Sequence, residues 1–331
     1  NGEDPASMKR AWHQIKDAQH TEGIYAAARA RARADWLFGI NLTQCASICW
    51  SQSGALRAGR VILPTLKMIV DRERAIETFV PQPYFELVAT VMAPTTQNNP
   101  YRLTLRHAPA PDERILKRDE AAKRAAQAAN AKGPLSVTRK QEKKGPPNPF
   151  SLQTVQKFAN DKWGWPADKT KDVAQRLYES GAITYPRTTA DILADEQADE
   201  IESILDHLNQ HPDLKAIISH FKPQARKSIF NTDKLGKEKH AHPALIPTLQ
   251  AVSADHLSGD DDRLYKAIAT RYLAALMPDY LYESTRITLD ANGIAFQTHG
   301  HIPLSWGWKA AWMADPKTAL TQAANQTVTQ G

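Results

Sequence analysis

The chain has 331 residues, enough for two or three domains, and its apolar content of 42% is ordinary for a globular protein. A formal net charge of +6 and a pI of about 9.1 favour an anionic partner without identifying it. No run approaches the roughly 18 apolar residues of a membrane-spanning helix. The two cysteines, Cys45 and Cys49, are too few for a four-cysteine zinc site. Their spacing predicts two thiols buried on one helix face.

The first predicted helix of interest covers Ile24 to Asn41 and carries Arg31, Asp35 and Trp36. Arg31 and Asp35 are four residues apart, so they can pair on one face of the helix. Two interpretations stay open. The pair is either a solvated salt bridge or an arginine that the carboxylate orients towards a phosphate.

A basic loop with two glycines follows, from Gly54 to Arg60, and leads into a helix with Pro64 near its first turn. Backbone amides at a helix start, together with Arg57 and Arg60, would make an anion site. Most loops of this kind are plain turns, so the loop alone is weak evidence.

From residue 81 the pattern changes to strands, predicted at Tyr84–Met92 and Tyr101–Arg106. An alanine-rich helix at 114–131 precedes a basic strand, Leu135–Lys144, which ends in Lys143 and Lys144. Between Tyr101 and Lys144 there are twelve Lys/Arg against five Asp/Glu. This concentration predicts a surface that faces nucleic acid, with a solvated face as the alternative.

Three prolines in Gly145–Pro149 predict a hinge. Helices are predicted beyond it at Leu152–Asn160, Lys171–Ser180, Asp191–Leu208, Asp213–His220 and Arg263–Met277, and strands at Tyr282–Leu289 and Gly293–Thr298. We therefore predict a multidomain α+β chain in four parts: a helical segment at 1–80, a β region at 81–148, an inserted helical domain at 149–279 and returning strands at 280–331.

The segment from Leu177 to Thr189 is predicted to hold one tyrosine rigidly. Gly181 can end the preceding helix in a left-handed conformation. Pro186 fixes the backbone after Tyr185, and Arg187 follows at once. A tyrosine held beside a guanidinium suits attack on a phosphodiester. The alternative is a half-buried tyrosine at a junction between strand and turn.

A later element, from His240 to Thr248, carries His240 and His242. Two histidines separated by one residue point the same way on a strand, so they could form a metal pair that serves Tyr185. Pro243 favours a loop instead. The metal pair would belong to a relaxase-like tyrosine nuclease.

Five stretches together resemble the type IA DNA topoisomerases of the topoisomerase III kind. In family order they are Arg31–Asn41, Gly59–Leu66, Pro146–Leu152, Leu177–Thr188 and Ala241–Thr248. The resemblance implies a helical DNA-groove segment, an antiparallel β arch and an inserted, mostly helical active-site domain.

The resemblance also implies the activity. Tyr185 would cleave single-stranded DNA transiently through a 5′-phosphotyrosine, and strand passage and ATP-independent resealing would follow. Arg187 and His242 would complete the catalytic set. The residues implied in DNA binding are Arg31, Asp35, Trp36, Arg57, Arg60, Lys143 and Lys144.

The sequence departs from the family pattern at four positions. Arg57 stands for a serine, Ile62 for a glutamine, Thr189 for an aspartate and Pro243 for a second histidine. These departures affect two polar DNA contacts and one histidine of the family pattern.

Nothing in the sequence resembles the family's Toprim domain, which binds Mg²⁺ and precedes this region. We therefore expect a fragment of a longer protein that contains no metal site of its own and needs the Toprim domain in cis or in trans. The resemblance implies a cytoplasmic bacterial enzyme, monomeric and not bound to a membrane. A relaxase-like nuclease and a non-catalytic fragment that binds single-stranded DNA remain the alternatives.

Overall fold

The computed structural model describes residues 12–13, 15, 17–93, 101–107, 114–220, 229–237, 242–249, 257 and 259–313. The chain divides into two compact units. The small unit consists of Pro5–Phe85 with Arg114–Glu120, and the large unit of Asn1–Asp4, Glu86–Glu113 and Ala121–Gly331. Among the described residues, no helix combines the length and the apolar composition that crossing a membrane requires.

Two helices dominate the small unit. Helix α1 (Glu22–Trp50) follows a short 3-10 helix at Ala18–Thr21, and helix α2 (Ile62–Glu77) follows the basic loop. The helix predicted from Ile24 is confirmed and is longer than expected. Neither α1 nor α2 contains a buried residue in the described part of the chain. A globular helix normally buries one apolar face, so this unit is unusual in leaving both helices uncovered.

The cysteine prediction is wrong for this structure. Cys45 and Cys49 are both exposed on α1, although they do share a face, and the neighbouring Cys45 raises the pKa of Cys49. The reason is general to the helix, because the described part of the chain buries no residue of α1.

A five-stranded antiparallel sheet belongs to the large unit. Its strands are β1 (Val88–Ala93), β2 (Tyr101–Arg106), β3 (Ser136–Lys144), β4 (Tyr280–Ala291) and β5 (Ile294–Ser305), in the order β1-β2-β5-β4-β3. Helix α3 (Arg118–Ala128) lies between β2 and β3 in the chain. Strands from both sides of the helical stretch thus share one sheet, which gives the α+β architecture expected from the sequence.

The longest pairing is the hairpin of β4 and β5. Its two-residue turn is Asn292-Gly293, with φ of 55° and 86°. The Gly293 amide donates a hydrogen bond of 2.7 Å to Asp290 Oδ1. Asn-Gly with positive φ at both positions matches the right-handed twist of the flanking strands. The turn sets the register along the hairpin as far as a shift at Leu281/Tyr282.

Six helices follow in the large unit, and five of them contribute to one apolar core within the described residues, while Leu235 of the fifth in chain order packs in a small separate cluster with Ala190 and Ile192. The six helices are α4 (Leu152–Trp163), α5 (Ala167–Glu179), α6 (Ile201–Leu208), α7 (Pro212–His220), α8 (Thr232–Lys237) and α9 (Gly259–Ala275). Helix α9 runs through the centre and buries ten residues. Ile183 and Leu245 belong to the same core, so the segments that carry Tyr185 and His242 rest on it.

The helix predicted at 191–208 is interrupted. A 3-10 helix occupies Asp195–Ala198, and α6 begins only at Ile201. Before them, Leu193 pairs in parallel with Phe230 and exchanges backbone hydrogen bonds with its neighbours. Tertiary pairing therefore uses the amides that a helix would need. Helix α8 was not predicted, since six residues are too short for a periodic signal.

The sheet joins the helical core through a 3-10 helix at Gly307–Trp312. Gly307 has φ of 44°, and a Cβ added there would collide with the backbone of Pro278 and Asp279. The Trp308 indole Nε1 donates 3.0 Å to the carbonyl of Lys144, the last residue of β3. Only glycine fits this close approach.

We predict that Gly307→Ala destabilises the protein by at least about 2 kcal/mol, because left-handed strain and the backbone collision act together. Urea unfolding followed by tryptophan fluorescence measures the change. Gly300→Ala is the control, because a Cβ at this position in β5 meets nothing within 4 Å. Equal midpoints for the two variants would contradict the prediction.

Candidate active site

Tyr185 follows a well-defined helix end. Helix α5 closes with two backbone hydrogen bonds of 2.8 Å, from the Gly181 amide to the Tyr178 carbonyl and from the Ala182 amide to the Leu177 carbonyl. Gly181 has φ of 78°, so the end is a Schellman motif. The predicted glycine stop is confirmed. It turns the chain sharply into the segment at 181–189, called the tyrosine segment below.

The tyrosine segment pairs with the segment at 242–249, called the histidine segment below. Ile183 forms an antiparallel bridge with Pro247. The Thr184 amide donates 3.0 Å to the carbonyl of Ile246 on the same partner. Two short stretches that are distant in the chain are thereby held in register.

Two threonine hydroxyls strengthen this pairing. Thr184 Oγ1 donates 3.0 Å to the Ala244 carbonyl and accepts 3.1 Å from the Ile246 amide. Thr188 is buried, with 3% of its surface exposed, and its Oγ1 donates 2.9 Å to the His242 carbonyl. Sequence reasoning did not single out either hydroxyl. Their position on both sides of Tyr185 is the signal that could have identified them.

The pairing brings two of the predicted catalytic residues into contact. The rings of Tyr185 and His242 lie 4.4 Å apart between centroids at 49°, and both side chains are half-buried. Tyr178 adds an edge-on contact to Tyr185 at 5.3 Å. The tyrosine ring is therefore fixed by two neighbours.

Arg187, the third predicted catalytic residue, is exposed. Its guanidinium makes no ion pair or hydrogen bond with any described residue, and the same holds for the Tyr185 hydroxyl. An unpaired guanidinium two residues from a fixed tyrosine is available to an anionic ligand.

Partial burial lowers the pKa of His242 below its usual 6.5, because desolvation disfavours the imidazolium. The imidazole is therefore neutral at pH 7. A neutral imidazole in contact with a phenol can accept its proton or donate a hydrogen bond to a phosphate oxygen.

Arg271 of α9 contacts the predicted hinge, and sequence reasoning missed it. Its Nε donates 2.6 Å to the Asn148 carbonyl in the predicted hinge, and its guanidinium lies 4.7 Å from the Phe150 ring centroid. Asn148 in turn donates 3.0 Å to Asp191 Oδ2. Burial lowers the pKa of Arg271. The available signal was an arginine between apolar residues in the C-terminal half of this helix.

The small unit carries the other predicted phosphate contacts. Asp35 pairs with Arg60 through two hydrogen bonds of 2.5 and 2.9 Å, instead of with Arg31 as the helical spacing suggested. Arg60 is the preferred partner because two N–H groups of its guanidinium reach both carboxylate oxygens of Asp35. The Arg60 guanidinium, with a smaller effect from Arg31, lowers the pKa of Asp35.

The loop that carries Arg57 is held against α1 by two more hydroxyls that sequence reasoning missed. The Ala58 amide donates 3.0 Å to Thr43 Oγ1, and the Leu56 amide donates 2.9 Å to Ser47 Oγ. Arg57 itself is exposed. Exposed Arg31 and Trp36 lie on α1, with 63% of Trp36 accessible.

Lys143 and Lys144 end the edge strand β3 and point to opposite faces of the sheet. Lys143 Nζ lies 3.6 Å from Asp279 Oδ2. His240, the other half of the metal pair considered above, lies outside the described residues. Among the residues that are described, no group of three or more His, Cys, Asp and Glu side chains could hold a metal ion.

Comparisons with known proteins agree with each other. The profile of a family described as DNA topoisomerase matches residues 19–330. DNA topoisomerase 3 of Shouchella clausii is 32% identical over 323 residues, which are 96% of this chain and 42% of the relative. DNA topoisomerase 3 of Bacillus subtilis is 31% identical over 333 residues, which are 97% of this chain and 43% of the relative. The chain spans less than half the length of these relatives.

A solved structure shares the fold. Full-length topoisomerase I from Thermotoga maritima matches with a TM-score of 0.60 and 23% identity, over 84% of this chain and 44% of that chain.

We predict that Thr184→Val costs about 1–3 kcal/mol, because it removes a hydroxyl that serves the Ala244 carbonyl and the Ile246 amide. Urea unfolding measures the loss. Thr184→Ser keeps the hydroxyl and should retain most of the stability. If serine and valine behave alike, the hydroxyl does not hold the segments together.

We predict that His242 titrates below 6.5 in the folded protein. Between the folded and unfolded pKa values the unfolded chain binds more protons, so the contribution of His242 to stability is complete above 6.5 and is lost as the pH falls through that window. An NMR titration of the ring signals tests this, with His242→Asn identifying the resonance. A midpoint at or above 6.5 would refute it.

Proposed function

This chain belongs to the type IA DNA topoisomerase family and is similar to topoisomerase III, and we propose that it supplies the tyrosine with which such an enzyme cleaves one DNA strand. The observation that carries the proposal is the contact between Tyr185 and His242, at 4.4 Å between ring centroids; Arg187, two positions after Tyr185, is exposed and has no partner among the described residues. Tyrosine, imidazole and guanidinium are the groups that phosphodiester attack needs.

The proposed step forms a bond between Tyr185 Oη and the phosphorus of a single-stranded DNA phosphodiester, while the bond from phosphorus to the 3′ oxygen breaks. The phenol loses its proton, and the departing 3′ oxygen gains one to become a hydroxyl. The 5′-phosphate stays on the tyrosine as a diester. Because one diester replaces another, resealing by the 3′-hydroxyl needs no ATP.

The neighbouring side chains have separate roles in this proposal. Neutral His242 accepts the phenolic proton or donates a hydrogen bond to a phosphate oxygen. Arg187 binds the phosphate and offsets the charge that develops on it. Thr184 and Thr188 hold the two segments at the working distance.

The small unit would also bind single-stranded DNA. Arg31 and Arg57 are exposed cations, Trp36 is an exposed indole, and the pair of Arg60 and Asp35 fixes the loop between them. Cations with an aromatic side chain bind single strands without reading their sequence. Sequence tolerance suits an enzyme that relaxes or separates DNA by passing another strand through the break.

We further propose that a Toprim domain, in cis or in trans, covers the small unit and binds the Mg²⁺ of the complete enzyme. One observation supports this proposal. Helices α1 and α2 leave large apolar side chains such as Phe38, Ile48 and Trp50 exposed, and uncovered apolar surface of this extent marks an interface.

A relaxase-like nuclease is not favoured, because the family match accounts for both the tyrosine and the histidine segment. A purely DNA-binding, non-catalytic role is not favoured either, because it gives no reason for the contact between Tyr185 and His242.

We predict that the 331-residue chain binds a labelled single-stranded oligonucleotide but forms little covalent adduct with Mg²⁺ present. In the longer enzyme with its Toprim domain, Tyr185→Phe should abolish both the adduct and relaxation, since the attacking oxygen is gone. Binding by that variant should stay within about twofold. Electrophoretic shift, denaturing gels and plasmid relaxation are the three measurements.

Two outcomes would contradict this proposal. A covalent product on Tyr185 in good yield from the chain alone would remove the need for a metal-binding domain. Relaxation that survives Tyr185→Phe would remove the tyrosine from the reaction.

A further inference from the structure

The two faces of the sheet differ in chemistry across β3, β4 and β5. Residues paired across strands share a face, and faces alternate along each strand. Lys140 pairs with Ser284, and Ser284 pairs with His301, while Arg286 pairs with His299. We call this side the polar face. It carries Lys140, Lys144, Tyr282, Arg286, His299 and His301, together with the carboxylates of Glu142 and Asp290.

The opposite face is more apolar, and its cations are matched by carboxylates. Val137 and Ile287 pair on it. Arg139 Nε lies 3.9 Å from Glu283 Oε1, and Lys143 is matched by Asp279. Charge on this side is therefore largely neutralised within the protein.

Cations on the polar face lack such partners. Lys140 and Lys144 make no ion pair with any described residue, and the Arg286 guanidinium donates to a neutral acceptor, Gln297 Oε1. The carboxylate of Glu142 accepts a 2.7 Å hydrogen bond from the Tyr282 hydroxyl. Three cations, Lys140, Lys144 and Arg286, thus stand against two carboxylates on the polar face, which keeps a small excess of positive charge.

A third lysine, Lys309, adds positive charge where the face meets Tyr280. Lys309 Nζ lies 3.5 Å from the Tyr280 ring centroid. The pKa of Lys309 is lowered by burial and then by the charge of Lys144. Two ammonium groups repel each other here, which an anion bound between them would relieve.

Three rings, Tyr280, Tyr282 and His301, form a column on the polar face. Tyr280 and Tyr282 stack at 5.1 Å and 21°, and His301 meets Tyr282 edge-on at 6.0 Å. Tyr280 is buried, Tyr282 is half-buried and His301 is exposed. The column thus ends in a ring that is open to solvent, beside exposed Lys140 and Arg286.

We propose that the polar face of the sheet binds a single DNA strand, with phosphates on Lys140, Lys144 and Arg286 and bases against Tyr282 and His301. The proposal rests on the proposed function of the chain as part of a DNA-cleaving enzyme and adds a strand-binding surface outside the tyrosine segment. Unpaired cations interleaved with rings are the combination that binds single strands. The neutralised opposite face lacks this combination.

The test measures the affinity of the 331-residue chain for a fluorescent oligothymidylate by anisotropy at several salt concentrations. Lys140→Gln should weaken binding about threefold, and Lys140→Gln with Lys144→Gln about tenfold. The slope of log affinity against log salt should shrink by about 0.7 for each phosphate contact removed. Arg139→Gln is the matched control: it removes one cation from the adjacent residue on the opposite face and should change affinity less than about 1.5-fold.

Equal losses for Lys140→Gln and Arg139→Gln would overturn the proposal, because only net charge would then matter. No loss for the double variant would also overturn it. Arg187→Gln separates this result from the proposed function. If it weakens binding while the strand variants do not, the tyrosine site stands and the polar face does not. Circular dichroism confirms that each variant is folded.

Discussion

The pairing of the tyrosine and histidine segments is the interaction on which the site depends. Without it, Tyr185 and His242 would be unrelated residues on separate loops of the helical core. Backbone hydrogen bonds set the register of the pairing. The hydroxyls of Thr184 and Thr188 donate to the Ala244 and His242 carbonyls, which an apolar side chain at either position could not do. Because the core residues Ile183 and Leu245 lie in these segments, packing and site geometry are set together.

Local signals in the sequence predicted local structure well. The glycine stop at Gly181 and strand β2 were found because a turn residue or an alternating run marks each of them. The contact of Tyr185 with His242 came from family resemblance, since no local rule links distant residues. Predictions failed where tertiary contacts decide. Asp35 pairs with Arg60 and not with Arg31, its neighbour on the helix. Leu193, predicted to be helical, pairs with Phe230 in a short β-bridge.

The two units differ in how much apolar core their described residues contain. The large unit buries a continuous core around α9, and Arg271 reaches from that helix to fix the proline-rich hinge. The helices of the small unit bury nothing in the described part of the chain. A long amphipathic helix gains most of its stability from packing and little from its own backbone. The small unit should therefore depend on neighbours far more than the large unit does.

The position of β3 at the rim of the sheet has a separate consequence. A rim strand presents unpaired amides and carbonyls, to which a strand from another molecule can add. Lysines along such a rim deter that addition, because two copies would bring like charges together. Lys140 and Lys144 thus protect the molecule from self-association while it is free in solution. Neutralising them to weaken a ligand would also leave the rim open to aggregation.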